Sequence, residues 1–484
     1  MSPASSARRA PAWIVVVAAS LPMFMATLDN LVVTNALPAM RAELGASIEQ
    51  LQWFVNAFTL AFAAFILAAA ALGDRVGRRT VFVLGIAVFT AASIAAALST
   101  SPEMVIIARA VQGLGAAGIM PLSLTLLAGS VSAGRRPAMI GIWGGVAGLG
   151  VALGPLVGGA VVEGWNWQAI FWINVPVGII ALPLALFALP NTRGARARID
   201  VAGVLLAGLG VLGVVYGIVR GNDAGWDSLE IVGSLGAGIA LLVAFVLWEL
   251  RAHAPLLPLR LFRDRSFTAA NLAGFAFSLG MFGSTFILIQ FLQVVRGASP
   301  LQAGLQTMPW TLAPMFVAPL AGLLAARIGT RTLMVSGLVM QTAALVWMAL
   351  QLREDIAYLE LIPPFLLAGI GMGLTFAPMS TAVLARMPEA DHAKASGTNS
   401  TLREVGTALG VAVLTAVFLG QGGQLTPTGY VHAAVPAVLI GAAVLGIGAI
   451  AALFLPGRAD ATPPATRIPA AEEDEERTLT PVAG

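Results

Sequence analysis

The sequence contains no cysteine and little charge. Only 11% of its 484 residues are Asp, Glu, Lys or Arg, whereas 58% are hydrophobic. A soluble globular domain carries about 25% charged residues. The chain therefore has too little charge to cover a water-facing surface, which excludes a soluble enzyme and requires lipid around most of its length. The absence of cysteine excludes disulfides, thiol nucleophiles, zinc–thiolate sites and iron–sulfur ligation.

Two further absences concern cofactors and energy. The three histidines lie in or beside polar connections, and no two of them have metal-ligand spacing: His253, His392 and His432. The phosphate-binding pattern G-x-x-x-x-G-K-[ST] does not occur. The sequence therefore predicts no cofactor, no metal and no ATP-driven motor in this chain, and any uphill work is expected to use an ion gradient.

Long apolar runs fill most of the chain. The hydrocarbon core of a bilayer is about 30 Å thick, and a helix needs about 20 apolar residues to cross it. Only short polar segments separate the runs, which leaves no room for a soluble domain. The sequence thus predicts an all-α integral membrane protein with fourteen transmembrane helices, near residues 13–36, 51–73, 80–100, 104–128, 137–160, 168–190, 200–219, 230–250, 268–293, 302–326, 332–351, 359–384, 401–420 and 432–455.

The basic residues predict the orientation in the membrane. Of 26 arginines and one lysine, 22 residues lie in the amino terminus, in alternate connections or in the tail. Only Arg41, Arg220, Arg296 and Arg353 lie in the other connections, and Arg109 lies inside a span. Because short basic loops stay in the cytoplasm, both termini are expected on the cytoplasmic side of the inner (plasma) membrane. This pattern accounts for the pI near 9.9 without a nucleic-acid partner.

A loop motif occurs twice. The segment LGDRVGRR at 72–79 recurs 252 residues later as LAARIGTR at 324–331. A parallel duplication of this kind is typical of transporters, with the substrate path between the halves. The predicted domains are a cytoplasmic amino terminus (1–12), a six-helix bundle (13–190), a linker with two extra transmembrane helices (191–267), a second six-helix bundle (268–455) and a disordered cytoplasmic tail (456–484).

Four motifs in different spans carry a resemblance to a known family. They are the loop at 72–79, RAVQGLG at 109–115, GVALGPLVGG at 150–159, and Leu28-Asp29 followed by ALP at 36–38. On these motifs the chain resembles the fourteen-helix drug:proton antiporter branch of the major facilitator superfamily, whose fold is two six-helix bundles plus two inserted helices. The resemblance implies proton coupling by Asp29, Arg109 and Gln112, a conformational latch of Asp74, Arg75, Gly77, Arg78 and Arg79, and an antiporter motif of Gly150, Gly154, Pro155, Gly158 and Gly159.

The position of Asp29 within its span also indicates a function on physical grounds. The predicted spans make it the only carboxylate well inside an apolar run, where a charge costs roughly 2.5–3.5 kcal/mol and therefore indicates function by default. At about 1.5 Å per residue it lies roughly 24 Å along its helix, close to the depth of Arg109. We expect an Asp29–Arg109 pair, direct or through Gln112 and water. The alternative is a purely structural buried ion pair.

The other two motifs each have a functional and a structural interpretation. The glycines of 150–159 allow close helix contact, and Pro155 can bend the helix, which predicts a hinge or a proton-tight seal. Generic small-residue packing is the alternative. Asp74 is expected to cap a helix end and to close the cytoplasmic side of the outward-open state, the alternative being a solvated basic loop. The second copy has Ala326 in place of the aspartate, so its latch should be weaker.

The substrate pocket is predicted from residue types that suit bulky apolar or cationic molecules. Aromatic rings stack on such molecules and attract cations, and amides fix their orientation. Each position has a lipid-facing or core role as its alternative. The candidates are Asn30, Asn56, Phe58, Trp143, Phe286, Gln290, Trp310 and Phe376.

The expected function is proton-coupled efflux of multiple drugs or other hydrophobic compounds by alternating access. Export of an endogenous metabolite, a lipid or a self-made antibiotic is the alternative within the same class. A membrane receptor or scaffold that does not transport is the alternative from another class, although a scaffold needs no buried charge. The expected partners are a small hydrophobic or cationic substrate, protons and the bilayer, with the chain acting as a monomer.

Overall fold

The computed structural model describes residues 11–131, 135–194, 200–253, 255–388 and 391–457. Within these residues, fourteen helical segments are long and apolar enough to cross a membrane, which confirms the predicted fold class. The helices are α1 (Ala12–Leu44), α2 (Ile48–Val76), α3 (Arg78–Ala97), α4 (Pro102–Ser130), α5 (Arg136–Gly164), α6 (Ala169–Trp172), α7 (Asn174–Ala188), α8 (Val201–Ala224), α9 (Leu229–Glu249), α10 (Arg265–Val294), α11 (Pro300–Ile328), α12 (Thr330–Gln351), α13 (Tyr358–Leu384), α14 (His392–Gly420) and α15 (Pro427–Ala452).

Helices α6 and α7 together form the sixth crossing, Ala169–Ala188. The predicted disordered tail lies almost wholly outside the described residues, as does the amino terminus before residue 11.

One glycine joins two helices in each copy of the repeated loop. Gly77 lies between α2 and α3 with a φ of 134°, and Gly329 lies between α11 and α12 with a φ of 90°. Side chains disfavour such positive φ values, so glycine permits the abrupt turn from one helix to the next. The two copies therefore encode the same turn at corresponding places in the chain.

The helices pack as two groups that follow the same order. In the first group α4 packs on α2 and α3, and in the second group α13 packs on α11 and α12. Glycines bring these helices close: a Cβ at Gly85 would lie 2.8 Å from the Gly115 carbonyl oxygen, and a Cβ at Gly337 would lie 2.6 Å from the Gly371 carbonyl oxygen. Small residues at such crossings give membrane helices their packing energy.

The inserted helices cover a seam between the two groups. The groups meet along α5 and α11 and along α2 and α14, and α8 packs on both α2 and α14. Helix α9 packs on α8. At the end of α8, Arg220 pairs with Glu49 of α2 at 3.3 Å, and Asn222 donates to the Ala416 carbonyl oxygen of α14 at 2.7 Å. The inserted helices therefore contact both halves of the protein and not only one.

The seam between α5 and α11 is tight at one end, and the glycines of α5 have open space beside them toward the other. We call the membrane face with Arg75, Arg78 and Arg260 the arginine-rich face, and the other the opposite face. Toward the opposite face, a Cβ at Gly159 of α5 would lie 2.2 Å from the Pro300 carbonyl oxygen of α11. Toward the arginine-rich face, the same helix has three glycines with no atom within 4 Å of an added Cβ. Helix α5 therefore packs closely on α11 toward the opposite face, and its glycines make no such close contact toward the arginine-rich face.

Candidate functional site

A buried ion pair lies in the core of the first half. Arg109 of α4 donates through Nη1 to Asp29 Oδ2 of α1, and both side chains are at most 1% exposed. Arg109 Nε also donates to the Phe54 carbonyl oxygen at 2.9 Å, and its guanidinium lies 4.4 Å from the centre of the Phe58 ring. Because a guanidinium presents a planar fork of donors, a single side chain links α1, α2 and α4.

The other oxygen of the carboxylate is held by two amides. Asn174 Nδ2 of α7 donates to Asp29 Oδ1 at 2.6 Å, and Gln112 Nε2 donates to the same atom at 3.3 Å. Gln112 also accepts from Arg109 Nη1 at 3.0 Å and donates to Ser93 Oγ of α3 at 2.8 Å. The network therefore contains one carboxylate, one guanidinium and neutral groups from four helices.

The sequence interpretation missed Asn174 and Ser93. Each is a polar side chain in an otherwise apolar run, and each is almost fully buried. A polar group inside a membrane needs a partner, because leaving it without one costs free energy. A lone amide in the sixth span was therefore the available signal, although it does not identify the partner.

The arrangement holds the Asp29 carboxylate between one positive group and neutral donors, away from solvent. A carboxylate removed from water in this way needs the guanidinium and the amide donors as partners, because an unpartnered buried charge costs free energy. Arg109 cannot exchange its own proton in practice. Its Nη2 has no hydrogen-bond partner among the described residues, which leaves a donor available when the helices shift.

The loop at 72–79 contacts the end of the first bundle and the start of the linker. Arg78 Nε donates to Asp74 Oδ1 at 2.7 Å, and the Arg78 backbone N–H donates to the Thr192 carbonyl oxygen at 2.9 Å. Arg79 donates to the carbonyl oxygens of Leu186 and Leu189 at the end of α7. Arg79 thus caps the carboxyl end of α7, where the helix dipole favours positive charge.

The glycines of the antiporter motif lie against α1. An added Cβ would come within 2.6 Å of Leu31 at Gly154 and within 2.9 Å of the Val32 carbonyl oxygen at Gly158. At Gly150 the nearest atom belongs to Thr27, 3.2 Å away. The motif therefore provides the close helix contact that its composition predicts, and its other face, at Gly159, adjoins α11.

Asn35 connects this seam to α1. Its Nδ2 donates to the Pro155 carbonyl oxygen at 2.7 Å and to the Pro300 carbonyl oxygen at 2.9 Å. Gln293 of α10 donates in turn to Asn35 Oδ1 at 2.8 Å. One buried amide thus bridges both halves, and it lies on the helix that carries Asp29.

Two predicted pocket aromatics are covered by arginines in this structure. Phe58 lies beneath Arg109, and the guanidinium of Arg403 lies 4.3 Å from the centre of the Phe376 ring. Trp310 stacks on Phe365 with ring centres 5.6 Å apart.

The remaining pocket candidates are spread along the bundle. Trp143 Nε1 donates to Ser123 Oγ at 3.1 Å, Phe286 is buried in the core, and Asn30 is half-buried. Gln290 borders a cavity of about 210 Å³ toward the opposite face. Asn56 is fully buried, and neither atom of its amide has a partner among the described residues. Neither this cavity nor a second one of about 890 Å³ beside Trp53 is lined by two of the eight candidates.

One expectation from the sequence is wrong. Asp29 is not the only carboxylate deep in a span, because α14 begins at His392 rather than near residue 401. Glu404 is therefore the thirteenth residue of a 29-residue helix. Arg403, counted with a cytoplasmic connection, also lies in this helix.

Comparison with known proteins identifies the family. A family model described as Major Facilitator Superfamily matches residues 19–411 and 270–482. The chain belongs to the major facilitator superfamily. This membership and the fourteen spans confirm the drug:proton antiporter branch that the motifs indicate.

Relatives of this transporter are named for drug export. It is 33% identical to the tetracenomycin C resistance and export protein of Streptomyces glaucescens, over 97% of this chain and 86% of that protein. It is 37% identical to a cephamycin export protein of Amycolatopsis lactamdurans, over 91% and 92% of the two chains. A crystal structure of a peptide transporter (POT) shares its fold, with a TM-score of 0.65 and 18% identity over 89% of this chain and 93% of that one.

Proposed function

We propose that this transporter is a proton-coupled efflux antiporter for hydrophobic or amphiphilic drugs, working by alternating access in the plasma membrane. The observation that carries the proposal is the Asp29 carboxylate, fully buried in the membrane yet held by a guanidinium and two amides. Such a group is expensive to keep inside a bilayer. A proton-binding role explains its presence better than structural packing does.

The orientation follows from the arginine distribution. We take the arginine-rich face as cytoplasmic, because basic loops stay in the cytoplasm. We infer an inward-open state, in which a substrate enters from the cytoplasm, because the open space at the glycines of α5 lies toward the face taken as cytoplasmic. The contacts of Gly159 and Asn35 close the exit.

Helix α1 supplies the physical link between proton and substrate movement. It carries Asp29, whose partners lie on α4 and α7, and Asn35, which lies six residues later and bonds to α5 and α11. Protonation of Asp29 removes the charge that holds Arg109, so α1 can shift against α4. A shift of α1 moves Asn35, and so changes whether the path is closed at the opposite face or at the arginine-rich face.

The names of the relatives support the export of antibiotic-like molecules. One is named for tetracenomycin C, one for cephamycin and another for multidrug resistance. These names also favour the narrower alternative, export of a single antibiotic. The proton chemistry is the same for both, and the range of substrates is what differs.

The test is uphill transport in proteoliposomes with an imposed pH gradient, using ethidium and a set of neutral hydrophobic antibiotics. We expect Asp29→Asn to abolish gradient-driven transport while the protein still folds, because Arg109 retains Phe54, Gln112 and the Phe58 ring. Asp223→Asn, which alters an exposed carboxylate on α8, is the control and should transport normally. Undiminished uphill transport by the Asp29 variant would exclude this carboxylate as the coupling group.

A further inference from the structure

An arginine in the interior of the second half has no anionic partner. Arg403 is the twelfth residue of α14, about 17 Å from the start of the helix at 1.5 Å per residue. Its side chain makes no ion pair or hydrogen bond with another described residue, and its Nε is buried without a partner. A guanidinium presents five N–H donors and stays charged. A cation at this depth indicates a functional site, and no described residue supplies the acceptor that it needs.

The side chain of Arg403 runs from α14 past α10 to α13. A Cβ at Gly274 of α10 would lie 3.6 Å from Arg403 Cγ, and the guanidinium carbon lies 4.3 Å from the centre of the Phe376 ring on α13. An aromatic ring attracts a cation through its face, but it offers no oxygen acceptor to the N–H groups. Phe376 therefore fixes the position of the guanidinium and leaves its donors available.

This crossing lies on the inner side of the second half. Helix α12 packs on α13 and α15, and α15 packs on α10 and α14, so α12 and α15 cover the outer side. Helix α14 adjoins α2 of the first half, and α13 packs on α11, which adjoins α5 of the first half. Arg403 and Phe376 are both half-buried, and among the Arg403 nitrogens only Nε is enclosed. The guanidinium therefore borders the space between the halves, which a substrate crosses in alternating access.

A second donor lies beside the guanidinium. Asn399 precedes Arg403 by one turn of α14, so the two side chains lie on one helix face. A Cβ at Gly274 would lie 3.3 Å from Asn399 Nδ2, so the amide and the Arg403 stem flank the same glycine. Asn399 Nδ2 donates to Asn271 Oδ1 at 3.2 Å and has a second N–H. A guanidinium next to an amide N–H suits a carboxylate, whose two oxygens accept several hydrogen bonds.

No carboxylate of the chain occupies the fork of the guanidinium. Glu404 is the next residue, but at 100° per residue its side chain leaves the helix in another direction, and no ion pair joins the two. On the two helices that flank the guanidinium, the described charged residues lie near helix ends, Arg265 on α10 and Glu360 on α13. The acceptor for Arg403 has therefore to come from a ligand.

We propose that Arg403 binds the carboxylate of an anionic amphiphilic substrate, with Asn399 as a second donor. The inference rests on the proposed export function and specifies a substrate class. A guanidinium matches the two oxygens of a carboxylate with parallel N–H bonds, and the apolar side chains around Phe376 suit the hydrophobic body of the molecule. A neutral molecule leaves the guanidinium unpaired, so the site distinguishes substrates by their charge.

The test measures binding rather than transport. Naphthylacetate and naphthylacetamide have the same ring and nearly the same shape, but only the first is charged at neutral pH. Equilibrium dialysis against the purified transporter in phosphatidylcholine nanodiscs, corrected with empty nanodiscs, gives both affinities. We expect Arg403→Gln to weaken binding of the carboxylate probe by about 10-fold or more, as for loss of a charged hydrogen bond, and to leave the amide probe unchanged. Arg403→Lys keeps the charge without the fork, so it should retain part of the affinity.

Matched controls separate this site from other charged groups. Arg327→Gln alters an exposed arginine at the end of α11 and should bind both probes normally. Glu404→Gln should also retain the carboxylate probe, because no ion pair joins Glu404 to Arg403. Asp29→Asn should bind this probe and fail in gradient-driven transport; if it transports, the proposed coupling is refuted while the anion site stands.

Three results would overturn the proposal. They are no binding of naphthylacetate by the unchanged protein, equally tight binding by Arg403→Gln, and loss of both probes together in that variant. Loss of the carboxylate probe in Arg327→Gln or Glu404→Gln to the same extent would also overturn it, because the effect would then not belong to the Arg403 guanidinium.

Discussion

The two halves share a helix plan but differ in the chemistry of their cores. At the 252-residue offset of the repeated loop, α1 corresponds to α10, α3 to α12 and α4 to α13. Met281, Leu345 and Leu361 then stand where the first half has Asp29, Ser93 and Arg109. All three are buried in the apolar core of the second half.

This difference separates the tasks of the halves. The first half contains the buried ion pair of Asp29 and Arg109, which under the proposed function is weakened when the carboxylate takes up a proton. The second half is held by apolar packing, which does not respond to protonation. Its mid-helix cation, Arg403 of α14, lies over the Phe376 ring of α13, and no ion pair joins it to a carboxylate among the described residues.

The largest expected effect comes from removing the cation of the first half. Arg109→Ala leaves Asp29 without its counter-ion, and breaking a buried pair in this way costs about 3–5 kcal/mol. We expect a large loss of thermal stability in detergent, together with loss of gradient-driven export. Adding Asp29→Asn should restore much of the stability but none of the transport, because a neutral amide needs no counter-ion.

In the second half, we expect no second substitution to restore the stability that the corresponding change removes. Leu361→Ala should destabilise by about 2–5 kcal/mol through a cavity, and adding Met281→Leu should not restore that stability. If Met281→Leu rescues Leu361→Ala as Asp29→Asn rescues Arg109→Ala, the two cores are not different in kind.

A smaller effect is expected from changing the shape of the cation while keeping its charge. Arg109→Lys preserves the attraction to Asp29, but an ammonium lacks the fork that also reaches Phe54 and Gln112. We expect partial transport with an altered pH optimum, measured as initial rates in proteoliposomes from pH 5.5 to 8.5. Full activity with an unchanged optimum would show that charge alone matters.

The repeated loop provides the third comparison. Asp74 bonds to Arg78 in the first copy, whereas the second copy has Ala326 at that position. Asp74→Asn is expected to favour inward-open molecules, so spin-label distances across the cytoplasmic mouth should lengthen. Ala326→Ser should leave these distances unchanged. Equal responses in the two copies would remove the proposed asymmetry of the latch.

The smallest effect concerns one hydrogen bond in each half. Asn174 donates to Asp29 at 2.6 Å, and Tyr430 donates through its hydroxyl to the Ile287 carbonyl oxygen at 2.7 Å. Asn174→Ala and Tyr430→Phe should each cost about 1 kcal/mol of stability. Only Asn174→Ala should also slow gradient-driven transport, because the Asp29 carboxylate loses a donor. Initial transport rates of both variants, measured in parallel, distinguish them.

The sequence by itself determined the number of spans, the parallel repeat and the family. The length of an apolar run is a local property that the bilayer thickness converts directly into a transmembrane helix. The motif residues Asp29, Arg109 and Gln112 could be selected from the sequence, because a charge or an amide in lipid costs free energy and therefore indicates a functional role.

Only the tertiary structure decided which helices supply the partners of Asp29 and where α14 begins. Asn174 reaches the carboxylate across 145 positions of sequence, and local patterns carry no information on such a contact. The first turns of α14 are polar, so they fall below the hydropathy of a lipid-facing span. They pack against other helices instead, as Asn399 does by donating to Asn271 Oδ1 at 3.2 Å. Glu404 came to lie at mid-membrane because protein, rather than lipid, solvates the helix that carries it.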